Sequence, residues 1–531
     1  MYNCPQCGAG MRFDIGSQKL NCDYCGYTCA PDGHPQQMKD AQTAVYEATL
    51  YTCPKCGGEI SSSDHAATDF CPYCGSSVVL NGRLSNEQKP DYIVPFRRTK
   101  ETCRSAFENK AGKAWCVPND FKNGGVFDKM MGIYLPYHIY DLKHDDRVYI
   151  DGTRTSGKYT EYCHIKFDLK TDYPWITADA SSRLDDDIAY ETGSCDRRAA
   201  VDFSTAYLCG FYADTPDVDS AVYHQAAEDC VKTDLYGQVS RRVRGLTGMR
   251  LDKTGYSPFQ LKRGETKSAL LPFWFLTWRK DNRIAYGIMN GNSGKLALDM
   301  PVDIRKFLLF SLLFAVPAAA VLYFLPVMTP ATATSLALLI MIAVAVLYVK
   351  TVLRCSLRET HAADRGRGKE QTPSVLEKGQ TVLSDLGFFK KIGDNLKIIL
   401  LVVGFFAVFG VVPLLISGGP GVADLFVSIF VLFIIPLLTL AAAVMTFVFS
   451  VHAFRLMGRV SVLLESLPVT AAMVVPSVII FMRPVNDEIY YGGLVLILTG
   501  AIVGMLFVIR RFNMLCTRPI PVFHERREVV Q

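Results

Sequence analysis

Two regimes of apolar and polar spacing meet near residue 306 of this 531-residue chain. Beyond that point six segments, roughly 307–328, 334–353, 398–417, 424–451, 460–482 and 491–509, are apolar with few or no charges. Each is long enough to cross a hydrocarbon layer of about 30 Å. Six such runs in one chain predict an all-α bundle of transmembrane helices, a hairpin at 306–353 and four helices at 398–510. Pro317, Pro413, Pro436, Pro468 and Pro476 predict kinks, which neighbouring helices tolerate. The stretch 354–397 between the two groups is a basic loop. Within it Val375, Val382, Leu386 and Phe389 share one helical face ahead of Lys390 and Lys391. This predicts a helix lying on the inner leaflet or packed under the bundle.

Before residue 306 the pattern is that of a soluble protein. In 90–300, aromatic and β-branched runs alternate with turn signals and predict a mixed α+β domain rich in β-hairpins. Strands are expected at Arg147–Asp151, Tyr162–Leu169 and Arg283–Asn290, the last closed by Gly291-Asn292-Ser293-Gly294. Helices are expected near Lys100–Ala114 and near Asp217–Val239, the second with Val222, Ala226, Cys230 and Val231 on one side. Tyr134-Leu135-Pro136-Tyr137-His138 and Leu270-Leu271-Pro272-Phe273-Trp274 resemble each other weakly, as a duplicated β unit would, or as chance would.

Cysteine spacing adds two small domains at the front. Cys4-x2-Cys7 is followed after 14 residues by Cys22-x2-Cys25, and Cys53-x2-Cys56 after 14 residues by Cys71-x2-Cys74. Each of the four pairs is followed directly by glycine: Gly8, Gly26, Gly57 and Gly75. Two thiolates two residues apart can grip one ion from a tight knuckle, and glycine supplies the left-handed backbone that closes it. Two knuckles complete a tetrahedral S4 site, so two small β zinc ribbons are expected, each with a structural Zn2+ and no position left for a catalytic water. Iron suits the same donor set. Ribbon 1 is placed at 1–29 and ribbon 2 at 51–80, with 30–50 as a polar linker that would let both engage partners. Cys29, His34 and His65 lie nearby and are read as bystanders, since each quartet is complete. Cys103, Cys116, Cys163, Cys195, Cys209 and Cys230 are read as buried thiols.

Charge sets the orientation. The net charge is +5, yet residues 1–85 carry five basic residues against eight acidic ones. A phosphate-binding surface would concentrate Lys and Arg on the binding domain itself, so nucleic acid is a poor fit as partner. The surplus falls on alternate loops of the membrane half: Arg305 and Lys306, the 354–397 loop, Arg455 and Arg459, then Arg510 and Arg511. The opposite loops carry only Arg483. The bias places both termini, including the tail 511–531, in the cytoplasm of a multi-pass cell-membrane protein. The N-terminus lacks the basic and apolar regions of a signal peptide, which agrees with cysteines kept reduced. Glu465, about five residues into its span, is expected at the cytoplasmic edge, met by water or Arg459.

The two quartets, together with Ile93-Val-Pro-Phe96, Gly132-Ile-Tyr-Leu-Pro136-Tyr137, Val201-Asp-Phe-Ser-Thr-Ala-Tyr207, Leu270–Trp274 and Asn290-Gly291-x-x-Gly294-Lys295, resemble bacterial membrane proteins with a zinc ribbon of the transcription-factor-IIB type. Members are sometimes named after primosomal protein N′, the replication-restart helicase. The resemblance covers most of 1–305 and, by layout alone, the membrane half. It implies no activity. The helicase name has no support here, because no G-x-x-x-x-G-K-[ST] loop, G-x-S-x-G elbow or H-E-x-x-H pair occurs. Asp185-Asp186-Asp187 is read as a solvated loop, and His138 and His144 as packing residues. The expected function is therefore a non-enzymatic, membrane-anchored platform for a protein partner. The alternatives are a transport or export component gated by the ribbons, and a membrane-tethered nucleic-acid binder.

Overall fold

The computed structural model describes residues 2–34, 44–62, 70–77, 81–122, 127, 129–156, 159–251, 259–280, 282–323, 329–362, 364–366, 430–521 and 523. They divide into two compact units, 1–110 with 123–299 and 520–531, and 111–122 with 300–519.

The first unit opens with a three-stranded antiparallel sheet, β1 (Arg12–Asp14), β2 (Lys19–Asn21) and β3 (Thr28–Cys29). Its Met11, Phe13 and Leu20 are buried in a core shared with Phe96, Tyr207 and Trp274. A much larger mixed sheet follows. Its strands are β4 (Val45–Thr52), β5 (Glu59–Ser62), β6 (Asn81–Gln88), β7 (Tyr92–Ile93), β8 (Met131–Ser156), β9 (Tyr159–Asp179), β10 (Val201–Asp202), β11 (Tyr212–Ala213), β12 (Arg250–Leu251), β13 (Lys262–Arg263), β14 (Lys267–Lys280), β15 (Arg283–Asn290) and β16 (Leu296–Leu298). Along the main path the order is β10-β7-β14-β8-β11-β5-β4-β6. Half of the described residues in the expected linker are therefore strand: Val45–Leu50 lie in β4 and pair with β6 and β5. Val45, Tyr46 and Thr49 are β-branched or aromatic, the types that fit a pleated, half-buried surface.

The similarity of Tyr134–His138 to Leu270–Trp274 has a structural counterpart. The two segments pair antiparallel, Leu135 opposite Leu271 and Pro136 opposite Leu270. On its other flank β8 pairs parallel with β11 up to Tyr134, then antiparallel with β9 from Tyr137. β14 pairs parallel with β7 up to Leu270, then antiparallel with β15 from Phe273. Each proline sits at the seam where one neighbour gives way to the next. Proline has no N–H to offer a ladder, and at a seam none is required. Its carbonyl is still used, Pro136 O accepting from Ala180 N and Pro272 O from Gly291 N.

Strands expected at Arg147–Asp151 and Tyr162–Leu169 are portions of one hairpin, β8–β9, paired from Tyr137↔Asp179 to Ser156↔Tyr159. On one face Arg147–Asp168 (2.7 Å), Lys170–Asp145 (3.0 Å) and Lys143–Asp172 (3.6 Å) form a ladder of opposite charges. On the other face Ile165, Phe167 and Leu169 pack with a helix. Helices α1 (Lys100–Lys113), α2 (Asp186–Thr192) and α3 (His224–Thr247) complete this part. The buried stripe of α3 is Ala227, Val231, Leu235 and Val239, so Cys230 is exposed rather than buried. The helix starts later than expected, because Ser220–Tyr223 form a 3-10 turn capped by Asp219, and the apolar face shifts with it.

The second unit contains α4 (Ile304–Tyr323), α5 (Pro330–Glu359), α6 (Ile435–Met457), α7 (Ser461–Met482) and α8 (Asp487–Cys516). Among the described residues four helical segments are long and apolar enough to cross a membrane: Pro330–Glu359, Leu432–Met457, Ser461–Met482 and Asp487–Cys516. The expectation of six exceeds this number. The segment 398–417 and the helix expected around Val375–Phe389 lie outside the described residues, and 307–328 is described as helix only to Tyr323. Outward residues such as Leu437, Val444, Leu464 and Val495 stay exposed, as lipid-facing positions do. Inward contacts are close: a Cβ on Gly500 would meet that of Ala472 at 2.2 Å, the small-residue packing that membrane helices favour. Thr439 and Ser477 hydroxyls bond between α6 and α7 at 2.7 Å.

Glu465 is not at a watery edge. It is buried, accepts from Arg511 Nε at 2.7 Å and lies 3.5 Å from Arg510, while Arg459 pairs with Glu359 at 3.1 Å. A buried carboxylate needs a partner that is itself held in place. Arg511, fixed by α8 and by Ser461 Oγ at 3.1 Å, meets that need.

Candidate metal centres

All four Cys-x2-Cys-Gly knuckles close in the same way. The glycine N–H donates to the first cysteine's carbonyl: Gly8 to Cys4 (2.8 Å), Gly26 to Cys22 (2.9 Å), Gly57 to Cys53 (2.8 Å) and Gly75 to Cys71 (2.9 Å). Their φ angles, +76°, +74°, +72° and +66°, lie in the left-handed region where a Cβ is disfavoured. A second bond returns from the first cysteine's N–H to Ala9, Tyr27, Gly58 or Ser76. The turn aims both sulfurs of each pair at the same point.

The knuckles meet two by two, gathering Cys4, Cys7, Cys22 and Cys25 in one cluster and Cys53, Cys56, Cys71 and Cys74 in the other. Within each, all four sulfurs lie within 4.8 Å of one another. Sulfur separations are 3.5 Å for Cys4–Cys25 and Cys7–Cys22, 3.8 Å for Cys53–Cys74 and 3.7 Å for Cys56–Cys71. A tetrahedron with metal–sulfur bonds near 2.3 Å has edges of about 3.8 Å, so either cluster could hold one ion. The chain offers a ready thiolate in each. The Cys22 thiol is lowered to about 7, first by the N–H of Cys25, and the Cys53 thiol to about 6, first by its hydrogen bond with Cys56. Cys29 and His34 lie outside the quartets, His34 Nε2 bonding Asn3 O at 3.0 Å. His65 lies outside the described residues.

The surroundings differ. In the first cluster Cys4 and Cys22 are buried, while Cys7 and Cys25 are exposed with Gln6, Gly8, Tyr24 and Gly26. In the second cluster no cysteine exceeds 1 % exposure. The loops of ribbon 2 are gripped by the large sheet. Thr277 Oγ1 donates to Pro72 O, Tyr286 OH to Tyr73 O, and Arg279 Nη1 to Ser76 Oγ at 2.8 Å. Phe523 closes over it. Phe523 N donates to Cys56 O at 2.6 Å, and the Phe523 ring packs edge-on to Tyr73 at 5.7 Å.

Beside ribbon 2 is a buried ion cluster that sequence reading missed. Arg183 pairs with Asp214 through Nη1 and reaches Glu59 at 3.5 Å, and Asp214 also accepts from Ser181 Oγ at 2.6 Å. Burial raises the Asp214 carboxyl above its ordinary range, against the pull of Arg183. Its members are scattered along the chain with no motif to link them. The other cysteines divide: Cys103 and Cys209 are buried, Cys116, Cys163 and Cys195 half-buried, and Cys230 exposed. His138 bonds Val218 O and His144 bonds Gln260 O, both at 2.8 Å, as packing residues do. Of the acidic run, Asp185 precedes α2 as its N-cap and Asp186 accepts from Tyr223 OH at 2.7 Å.

These features define a class: a chain with helices long and apolar enough to cross a membrane and a β-rich unit that carries two tetracysteine clusters. Comparison with known proteins sharpens this little. No protein-family profile and no solved structure matches the chain. Over 314 residues it is 29% identical to "Uncharacterized protein YdjG" of Bacillus subtilis (strain 168), a match covering 57% of this chain and 91% of that protein.

Proposed function

We propose that this is a non-enzymatic zinc protein of the cell membrane, whose β-rich unit works in the cytoplasm as a binding or regulatory platform for a protein partner. The observation that supports it is the closure of both quartets. Four thiolates fill a tetrahedral ion and leave no vacancy for water or substrate, which is the pattern of structural zinc. Soft thiolate donors select zinc over the hard cations. The four described spans act as an anchor. Several of their hydroxyls are spent on their own helices, Thr446 on Ala442 O, Ser450 on Thr446 O and Ser477 on Met473 O, and the buried carboxylate of Glu465 is paired with Arg511. Hydroxyls and a carboxylate already bonded within the bundle are poor replacements for an ion's water, which favours anchoring over transport.

Ribbon 1 is the part of the platform that faces outward. Tyr24 at its tip is 85% exposed, and an exposed aromatic beside a rigid knuckle suits a protein contact. Two measurements test the reading. Elemental analysis of the purified full chain should find two zinc ions per chain; iron or an empty site defeats the metal assignment. A reporter fused after Gln531 should read as cytoplasmic, and an external signal defeats the orientation.

A further inference from the structure

The two quartets share one spacing and one knuckle geometry, but only one of them can be reached from solvent. We propose that Cys7 and Cys25 of ribbon 1 form an oxidant-sensitive modification site, at which a hydroperoxide drives release of the ribbon 1 metal while ribbon 2 keeps its own. The proposal rests on the zinc reading above.

Each exposed sulfur has a buried partner within reach, Cys7 at 3.5 Å from Cys22 and Cys25 at 3.5 Å from Cys4. The neighbouring knuckle residues Gln6, Gly8, Tyr24 and Gly26 are themselves exposed, only the mobile amide end of Gln6 nears a sulfur, at 4.0 Å from Cys25 Sγ, and a Cβ built on Gly8 or Gly26 meets no atom within 4 Å. An approaching peroxide therefore meets sulfur first. In ribbon 2 the same approach is blocked. A Cβ on Gly57 would strike Phe523 O at 2.1 Å, one on Gly58 Tyr73 Cδ2 at 2.7 Å, and one on Gly75 Thr277 Cγ2 at 3.1 Å. Thiolate oxidation follows access and thiolate character. The two quartets offer the same four donors at the same spacing, and they differ in access: Cys7 and Cys25 are exposed, whereas no cysteine of ribbon 2 is.

The chemistry balances without another participant. The Cys7 thiolate attacks one peroxide oxygen, the O–O bond breaks, and hydroxide leaves to take a proton from solvent, giving a sulfenic acid. The Cys22 thiolate then attacks that sulfur, the S–O bond breaks, the S–S bond forms, and a second hydroxide leaves as water. Two thiolates lose two electrons and the hydroperoxide gains them. The pair Cys25 and Cys4 can follow the same course. A metal left with two thiolates dissociates, and ribbon 1, whose strands are three, three and two residues long, loses what holds its tip.

The test uses the full chain in detergent, with its metal content measured first. Fewer than two zinc ions at this point refutes the zinc reading before any oxidant is added. Hydrogen peroxide is then titrated in the presence of a chromogenic zinc chelator, and thiols are mapped by differential alkylation and mass spectrometry. The expected result is release of one zinc per chain, with loss of free thiol at Cys4, Cys7, Cys22 or Cys25 at least about tenfold faster than at Cys53, Cys56, Cys71 and Cys74. A thiol reductant with added zinc should restore it. Release of both metals together, equal oxidation of the two quartets, or retention of both metals while exposed Cys230 is oxidised would overturn the proposal.

Discussion

Ribbon 1 and ribbon 2 carry the same Cys-x2-Cys-Gly knuckles at the same spacing, and the molecule treats them differently. Ribbon 1 forms its own three-stranded sheet and lends one apolar face to the core, leaving its knuckle tips in solvent. Ribbon 2 surrenders its strands to the large sheet, and its metal-binding loops are held by Thr277, Tyr286, Arg279 and Phe523. Ligand spacing thus dictates how a knuckle closes. What packs over the knuckle sets whether an ion held there would be open to solvent or sealed from it.

The largest effect should come from removing a ligand on each side. Cys71→Ser would leave a buried, metal-free cluster inside the sheet; since structural zinc contributes on the order of 10 kcal/mol to folding, the first unit should lose protease resistance throughout. Cys22→Ser should release one metal and expose only the residues around ribbon 1. Limited proteolysis with mass mapping separates the two outcomes, and equal damage would break the contrast.

Gly57→Ala sharpens it at the knuckle. The added methyl meets a left-handed φ and the Phe523 carbonyl, so a loss of about 3 kcal/mol is expected. Gly8→Ala meets the same φ but open space, and should cost about 1 kcal/mol. Denaturant midpoints of the two variants compare them directly. Phe523→Ala should cost about 2 kcal/mol, less than a fully buried ring, and speed chelator extraction of one zinc while leaving the other unchanged. The smallest effect is expected for Thr277→Val. It leaves Pro72 O without its donor at a cost of about 1 kcal/mol, seen as faster amide exchange around Cys71 and none at Cys22.

Legibility in the sequence followed how local each interaction is. The quartets could be read because each knuckle is five residues long and its glycine is dictated by one φ angle. β15 was legible to the residue, being a short apolar run with a clear turn after it. The length of β8 and β9 was not, because their outer faces are polar and only the cross-strand charge ladder shows that they continue. Val45–Leu50 looked like a linker because strands β5 and β6, which make it a strand, come later in the chain. Glu465 was expected to meet water or its neighbour in sequence, Arg459, when the residue opposite it lies 46 positions away on another helix.

By itself, then, the sequence determined the four knuckles, the gathering of eight thiols into pairs, and the apolar helices that fit a membrane. These depend on backbone geometry and on transfer from water, both properties of short segments. Only the tertiary structure decided that one quartet is sealed and the other open, that Phe523 covers Cys56, and that Arg183, Asp214 and Glu59 meet in the core. Such outcomes depend on which distant surfaces exclude water from each other, and no local pattern encodes that.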